Sequence, residues 1–252
     1  MILRFSRREE MQIYQKIIPL LLASTLSVFA SVAQADIVIN GTRVIYKEKD
    51  KNVTMRLENK GSRPLLVQSW LDTGDDNADP ATIKVPFNAT PPVSRIDPKR
   101  GQTVTITYTN SQTLPKDRES VFWFNVLEVP PKVKDKEAEN KNLLQLAFRT
   151  RIKLFYRPEG LSGDPFTAPS QLKWQWSGNK IKVTNPTPYY VSFSAVDVVS
   201  GTKSYVVNTS MIAPNSNSDF SVQGLQTSIG GAKLRYSAIS DYGSEIKGES
   251  NL

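Results

Sequence analysis

The chain has 252 residues, 32 Lys and Arg against 24 Asp and Glu, a formal charge of +8, and neither cysteine nor histidine. Without His, Ser-His-Asp triads, imidazole bases and the commonest metal ligand are excluded. Without Cys, so are thiol nucleophiles and the soft ligands of zinc and iron–sulfur sites. Any metal would be a hard cation on oxygen, and any catalysis would need carboxylates or a Ser–Lys pair. With 39% apolar residues the chain can build a core, and at about 150 residues per domain its length suggests one large or two modest domains.

In chain order, the first element is a leader. Residues 17–35 carry no charge, Lys16 precedes them, and Ala33-Gln34-Ala35 supplies the small residues of a signal-peptidase site. A single membrane span is the competing reading, because nineteen uncharged residues could just cross a bilayer. Against it, only residues 17–22 are strongly apolar and Pro19 interrupts them. Residues 1–35 are therefore expected to be a cleaved signal peptide, with Met11 an alternative start. An exported chain without cysteine is held by packing, not disulfides.

After Asp36, period-two alternation and turn residues dominate. Residues 38–39, 42–46, 53–57, 65–71, 103–108 and 121–129 read as short strands separated by Gly, Pro, Asn and Asp clusters. A second series covers 172–176, 180–185, 189–199, 204–208, 219–222 and 233–240. Between the two series, residues 157–165 hold two Pro and two Gly and read as a linker. The chain is thus expected to be all-β, with sandwich domains over 36–157 and 158–252. The Lys/Glu-rich segment 130–142 reads as a long loop.

Segment 143–156 is unusual. Leu144, Leu146, Phe148, Thr150, Ile152, Leu154 and Tyr156 alternate with Gln145, Arg149, Arg151 and Lys153. Fourteen such residues span roughly 46 Å at about 3.3 Å each, against roughly 17–20 Å for a usual strand. One half can pack in its own domain while the half with Leu144, Leu146 and Phe148 runs past it. A long strand bent at a bulge within one core fits the periodicity equally. An unpaired apolar edge is something proteins normally blunt, so one left open points to a partner.

Some motifs mislead. Asp72-Thr73-Gly74 matches the aspartic-protease triplet, but such enzymes need two copies and this chain has one. With Asp75, Asp76 and Asp79 it reads as a solvated hairpin turn. It lacks the spacing and closing Glu of an EF-hand loop, so no metal site is expected. Ser-x-x-Lys recurs without its companion motifs. Lys and Arg are scattered among acids, which favours a soluble basic surface over nucleic-acid binding.

Several strings carry a resemblance. Gly41-Thr-Arg-Val-Ile-Tyr46, Ala89-Thr-Pro-Pro-Val93, Asp117-Arg-Glu-Ser-Val-Phe-Trp-Phe-Asn125 and Lys153-Leu-Phe-Tyr-Arg-Pro158 resemble the first domain of periplasmic pilus chaperones of the PapD/FimC type. Asn185-Pro-Thr-Pro-Tyr-Tyr190 and Asp241-Tyr-Gly243 resemble the second. The resemblance implies two immunoglobulin-like domains in a boomerang arrangement, acting on pilin subunits that lack a strand and delivering them to an outer-membrane usher. It implies Leu144, Leu146 and Phe148 in a strand, 143–149, lent to the client. It puts Arg43 and Lys153 on the client's terminal carboxylate, and Glu119, Arg157 and Asp241 in an ionic link between domains. The absence of a cysteine pair and the shortness of loop 130–142 resemble the short-loop branch, and Arg151 stands where Lys is commoner.

The expectation is therefore a periplasmic, non-enzymatic chaperone with no cofactor, no nucleic acid and no ATP, since no phosphate-cradling loop ends in Gly-Lys-Ser/Thr. An open edge also allows self-association of the free chaperone. The alternative is a secreted carbohydrate-binding or adhesin sandwich presenting Trp174 and Trp176. These share a parity with Leu172, which favours a core face.

Overall fold

The computed structural model describes residues 36–131 and 146–252. The leader, most of loop 130–142 and Leu144 lie outside the described residues. The first half carries β1 (Ile37–Ile39), β2 (Arg43–Lys47), β3 (Val53–Asn59), β4 (Leu65–Asp72), β5 (Phe87–Thr90), β6 (Val93–Ile96), β7 (Gly101–Tyr108), β8 (Ser120–Val129) and β9 (Phe148–Arg157). They form a four-stranded sheet, β1-β3-β7-β5, and a five-stranded one, β2-β9-β8-β4-β6. The inward residues of both sheets enclose one core. Leu57, Val104 and Ile106 from the first sheet and Val67, Phe124, Val126 and Leu154 from the second are almost wholly buried in it. This is the two-layer solution by which half-apolar strands hide one face.

A second sandwich follows a short 3-10 turn at Ala168–Gln171. Its strands are β10 (Lys173–Ser177), β11 (Lys180–Asn185), β12 (Phe193–Ser200), β13 (Lys203–Val206), β14 (Ser216–Ser221), β15 (Lys233–Ile239) and β16 (Glu245–Asn251). The sheets β10-β11-β14 and β13-β12-β15-β16 close on Ile181, Val183, Val198, Ile212 and Leu234. Trp174 belongs to this core and Trp176 packs against it, so neither is an exposed glycan platform.

The structure adds three strands that alternation does not reveal. β5 and β6 have four residues each and flank Pro91-Pro92. β16 is an edge strand with one apolar residue, Ile246. Conversely, residues 189–192 are not strand. There the buried Asn185 caps a turn: its Oδ1 accepts from the Thr187 amide at 3.0 Å and its Nδ2 donates to the Tyr189 carbonyl at 2.8 Å. Pro186 and Pro188 offer no N–H for a ladder, so β12 starts later.

In the first core, Tyr46 ties loop to sheet. Its hydroxyl donates to the Lys51 carbonyl at 2.9 Å and accepts from the Tyr108 amide at 3.1 Å. Tyr46→Phe leaves both groups short of a partner and is expected to cost about 1–3 kcal/mol, read as a lowered urea midpoint with an unchanged m-value.

Candidate functional site

The five-stranded sheet turns its even β9 residues inward and its odd ones outward. Inward, exposure climbs steadily toward the start of the strand. Leu154 is 0% exposed, Ile152 9%, Phe148 49% and Leu146 55%. The strand begins at Phe148, and Leu146 and Ala147 precede it without strand structure. The reason for the gradient is the neighbouring strands. β8 pairs with nearly all of β9, from Ser120↔Tyr156 to Glu128↔Phe148. On the other side β2 pairs in parallel only from Arg43↔Lys153 to Lys47↔Arg157. Residues 148–152 therefore keep an open edge among the described residues, with two exposed apolar side chains beside it.

At the inner end of that open stretch Arg43 and Lys153 are ladder neighbours. Arg43 donates Nη1 to the Ile239 carbonyl at 2.9 Å and its Cζ lies 5.9 Å from the Phe155 ring centre. Its Nε is buried with no partner among the described residues. Burial disfavours the guanidinium charge, and Asp241 and Glu119 offset this in part. The Lys153 ammonium has no hydrogen bond or ion pair among the described residues, and burial together with Arg43 pushes its pKa down. Two neighbouring cations, one with an idle buried donor, leave N–H groups that could serve a charged acceptor.

Next along the same face is the junction of the sandwiches. Arg157 donates Nε to Glu119 at 2.6 Å and Nη1 and Nη2 to Asp241 at 2.7 and 3.0 Å. The second Glu119 oxygen accepts the Tyr190 amide at 2.8 Å. Burial raises the Glu119 pKa against the pull of Arg157. Burial opposes the Arg157 charge too, but Asp241 and Glu119 more than offset it and raise that pKa. Replacing such a buried bridge by apolar groups is often neutral, whereas removing one partner is costly. The turn bearing Asp241 comes close to the first sandwich at Gly243. Its φ is +82° and an added Cβ would lie 2.6 Å from Thr42 Oγ1, so only glycine fits.

The solvated-turn reading fails for Asp72. Its side chain is 1% exposed and sits on the outer face of β4. It accepts from Arg151, from Asn125 Nδ2 at 2.7 Å and from the Gly74 amide at 2.7 Å. Arg149 reaches it at 3.5 Å. Burial works against this carboxylate, but the bonds from Arg151, Asn125 and Gly74 prevail and hold its pKa below the ordinary value. Asp75 and Asp79 do cap their own turn, at 3.0 Å to the Asn77 amide and 2.9 Å to that of Ala81. Among the described residues no cluster of three His, Cys, Asp or Glu side chains could hold a metal. The sequence signal for this cluster was the run of cations on one parity, Arg149, Arg151 and Lys153, which called for an acid across the sheet.

Comparison with known proteins agrees with this architecture. The family model for the pili and flagellar-assembly chaperone PapD N-terminal domain matches residues 36–162, and that for the pili assembly chaperone PapD C-terminal domain matches 167–250. The chain is 60% identical over 232 residues to a probable fimbrial chaperone, YadV, of Escherichia coli (strain K12), covering 90% of this chain and 94% of that one. It is 43% identical over 225 residues to chaperone protein FimB/FhaD of Bordetella pertussis, covering 88% and 90%. A crystal structure of YadV chaperone superimposes with a TM-score of 0.77 at 59% identity, over 86% of this chain and all of the other. A Salmonella enterica SafA pilin complex with the SafB chaperone matches with a TM-score of 0.73 at 26% identity, over 88% and 99%. The chain belongs to the PapD family of pilus-assembly chaperones, and that family is not enzymatic.

Removing Arg157 alone would strand the buried Glu119 carboxylate. Arg157→Met is expected to destabilise the protein by about 3–5 kcal/mol, and adding Glu119→Gln should recover much of that loss, both measured by urea denaturation.

Proposed function

We propose that the chain works in the periplasm as a chaperone that binds, folds and caps pilin subunits by lending them the open edge of β9, then passes them to an outer-membrane usher. The observation that carries this reading is the half-paired strand. Residues 148–152 offer backbone donors and acceptors on one side, Leu146 and Phe148 stand exposed beside them, and Arg43 and Lys153 are ladder neighbours at the inner end. An incomplete sandwich can add this edge as its missing strand, with main-chain bonds giving affinity and alternate side chains giving specificity. Burying Leu146 and Phe148 contributes roughly 1.5–3 kcal/mol each, against a comparable cost for lost translational and side-chain freedom. Leu144 extends the same parity on the sequence and completes the lent strand 143–149. The complex of the SafB chaperone with the SafA pilin supports a pilin as the client class.

Arg43 and Lys153 take the client's terminal carboxylate, which sets how far along β9 the client slides. Glu119, Arg157 and Asp241 keep the two sandwiches at the angle that frames this site. Residues 1–35 act as the export signal, cleaved after Ala35, leaving domains over 36–157 and 158–252. Arg43→Ala and Lys153→Ala are expected to abolish recovery of pilin with the chain from periplasmic extract while leaving the denaturation curve close to wild type. Leu146→Glu should do the same. Normal recovery with all three variants would overturn the proposal.

Proton linkage gives a second check. Burial and Arg43 hold Lys153 below the ordinary lysine value, and a bound carboxylate favours the charged form and raises it again. Between those two values, capture takes up a proton, so affinity falls as pH rises through that window. Calorimetry in buffers of different ionisation enthalpy should register the uptake for the wild type and not for Lys153→Arg.

A further inference from the structure

The Asp72 cluster plays no part in holding a carboxylate, yet it lies behind the very stretch of β9 that the proposed function requires. We propose that Asp72 is the positioning residue of the client edge: through Arg149 and Arg151 it holds residues 148–152 extended before a client arrives. The inference rests on β9 being the client edge.

Residues 148–152 have little else to hold them. Among the described residues they pair on the β8 side alone. The core grips the stretch only at its inner end, since Phe148 and Arg149 are exposed and Thr150 and Arg151 half-buried. A strand end bonded on one side and weakly packed opens at low free energy. Loose, it would have to be ordered again at every capture, and that cost comes out of the affinity.

The outer face supplies the missing restraint. Arg149 donates Nε to Asn125 Oδ1 at 2.9 Å and Nη1 to the Asp76 carbonyl at 2.5 Å, and its Cζ lies 5.2 Å from the Trp70 ring centre. Arg151 sends Nε to Asp72 Oδ2 at 3.2 Å and Nη2 to Oδ1, with its Cζ 5.2 Å from the Trp123 ring centre. Guanidinium groups bonded in a fork and laid on indole rings are held in both direction and plane. Asp72 and Trp70 belong to β4, Trp123 and Asn125 to β8, so the restraint crosses the centre of the sheet. Asp72 is itself fixed from behind by the Gly74 amide, which owes nothing to β9, and by Asn125 of β8. The result restrains the backbone of the edge from its face and leaves the edge free for a client.

Asp72→Asn keeps the shape of the side chain and removes its charge. Three quantities are measured: the urea midpoint, amide hydrogen exchange across β9, and the rate at which the variant captures an unfolded pilin. The pilin is the subunit recovered with the wild-type chain from periplasmic extract. Weakening a charge-assisted bond of this kind should raise exchange at residues 148–152 and slow capture by on the order of tenfold, with 153–157 protected as in the wild type. Wild-type exchange and capture in the variant would overturn the proposal. So would a uniform loss of protection across the sandwich, which a purely structural role produces. Should Asp72→Asn fail to fold, Arg149→Met removes the Asn125 and Asp76 clamps while Asp72 keeps Arg151, and the same readouts decide. If the wild-type chain recovers no pilin at all, the client-edge reading itself falls, an outcome distinct from all of these.

Discussion

One shortfall in length governs the molecule: β2 has five residues and β9 ten. Because β2 is the only described strand on that side, β9 is enclosed for half its length and open for the other half. A sheet edge is normally a hazard, blunted by charge, proline or cover. Here the inward parity places apolar side chains at the open end, and the cations that would blunt it lie on the opposite face. That combination suits an edge meant to be occupied, and it locates chemistry and topology on one strand.

The outward residues of β9 divide the strand into three zones. Arg149 and Arg151 are drawn back over the sheet by Asp72, Asn125 and two indoles. Lys153, with Arg43 beside it, has no anionic partner among the described residues. Phe155 and Arg157 are taken by the second sandwich, through the Tyr190 ring at 5.7 Å and through Asp241. Cations two residues apart thus behave differently for one reason, the distance to the nearest carboxylate. The exposed apolar side chains of one parity and the Lys153 cation of the other need no twist to coexist on one strand, since alternation already provides both faces.

Much of the fold was legible because a half-buried strand writes itself as period two, and most strands of both sandwiches were found at nearly their observed bounds. β5 and β6 escaped because four residues beside Pro91-Pro92 are too few to show a period. β16 escaped because an edge strand with one apolar residue looks like a loop. The overhang of β9 could be reasoned from its length, whereas the roles given to Arg43 and Lys153 came from resemblance, since a lone cation carries no local sign of its neighbours. Asp72 was misread for a related reason. Its partners Asn125, Arg149 and Arg151 lie 53, 77 and 79 positions away, and only the folded sheet brings them together, while the acids that follow it really are a turn.

The parallel union of β2 with β9 also sets a timetable. Arg43 emerges early from the ribosome and Lys153 late, and the native neighbour of β2 is β9. Parallel pairing of remote segments is slow because a long loop must close before any reward arrives. The first sandwich therefore stays unfinished until its last strand is delivered. A member of a family of pilus-assembly chaperones thus begins with a sheet of its own unfinished and open to mispairing.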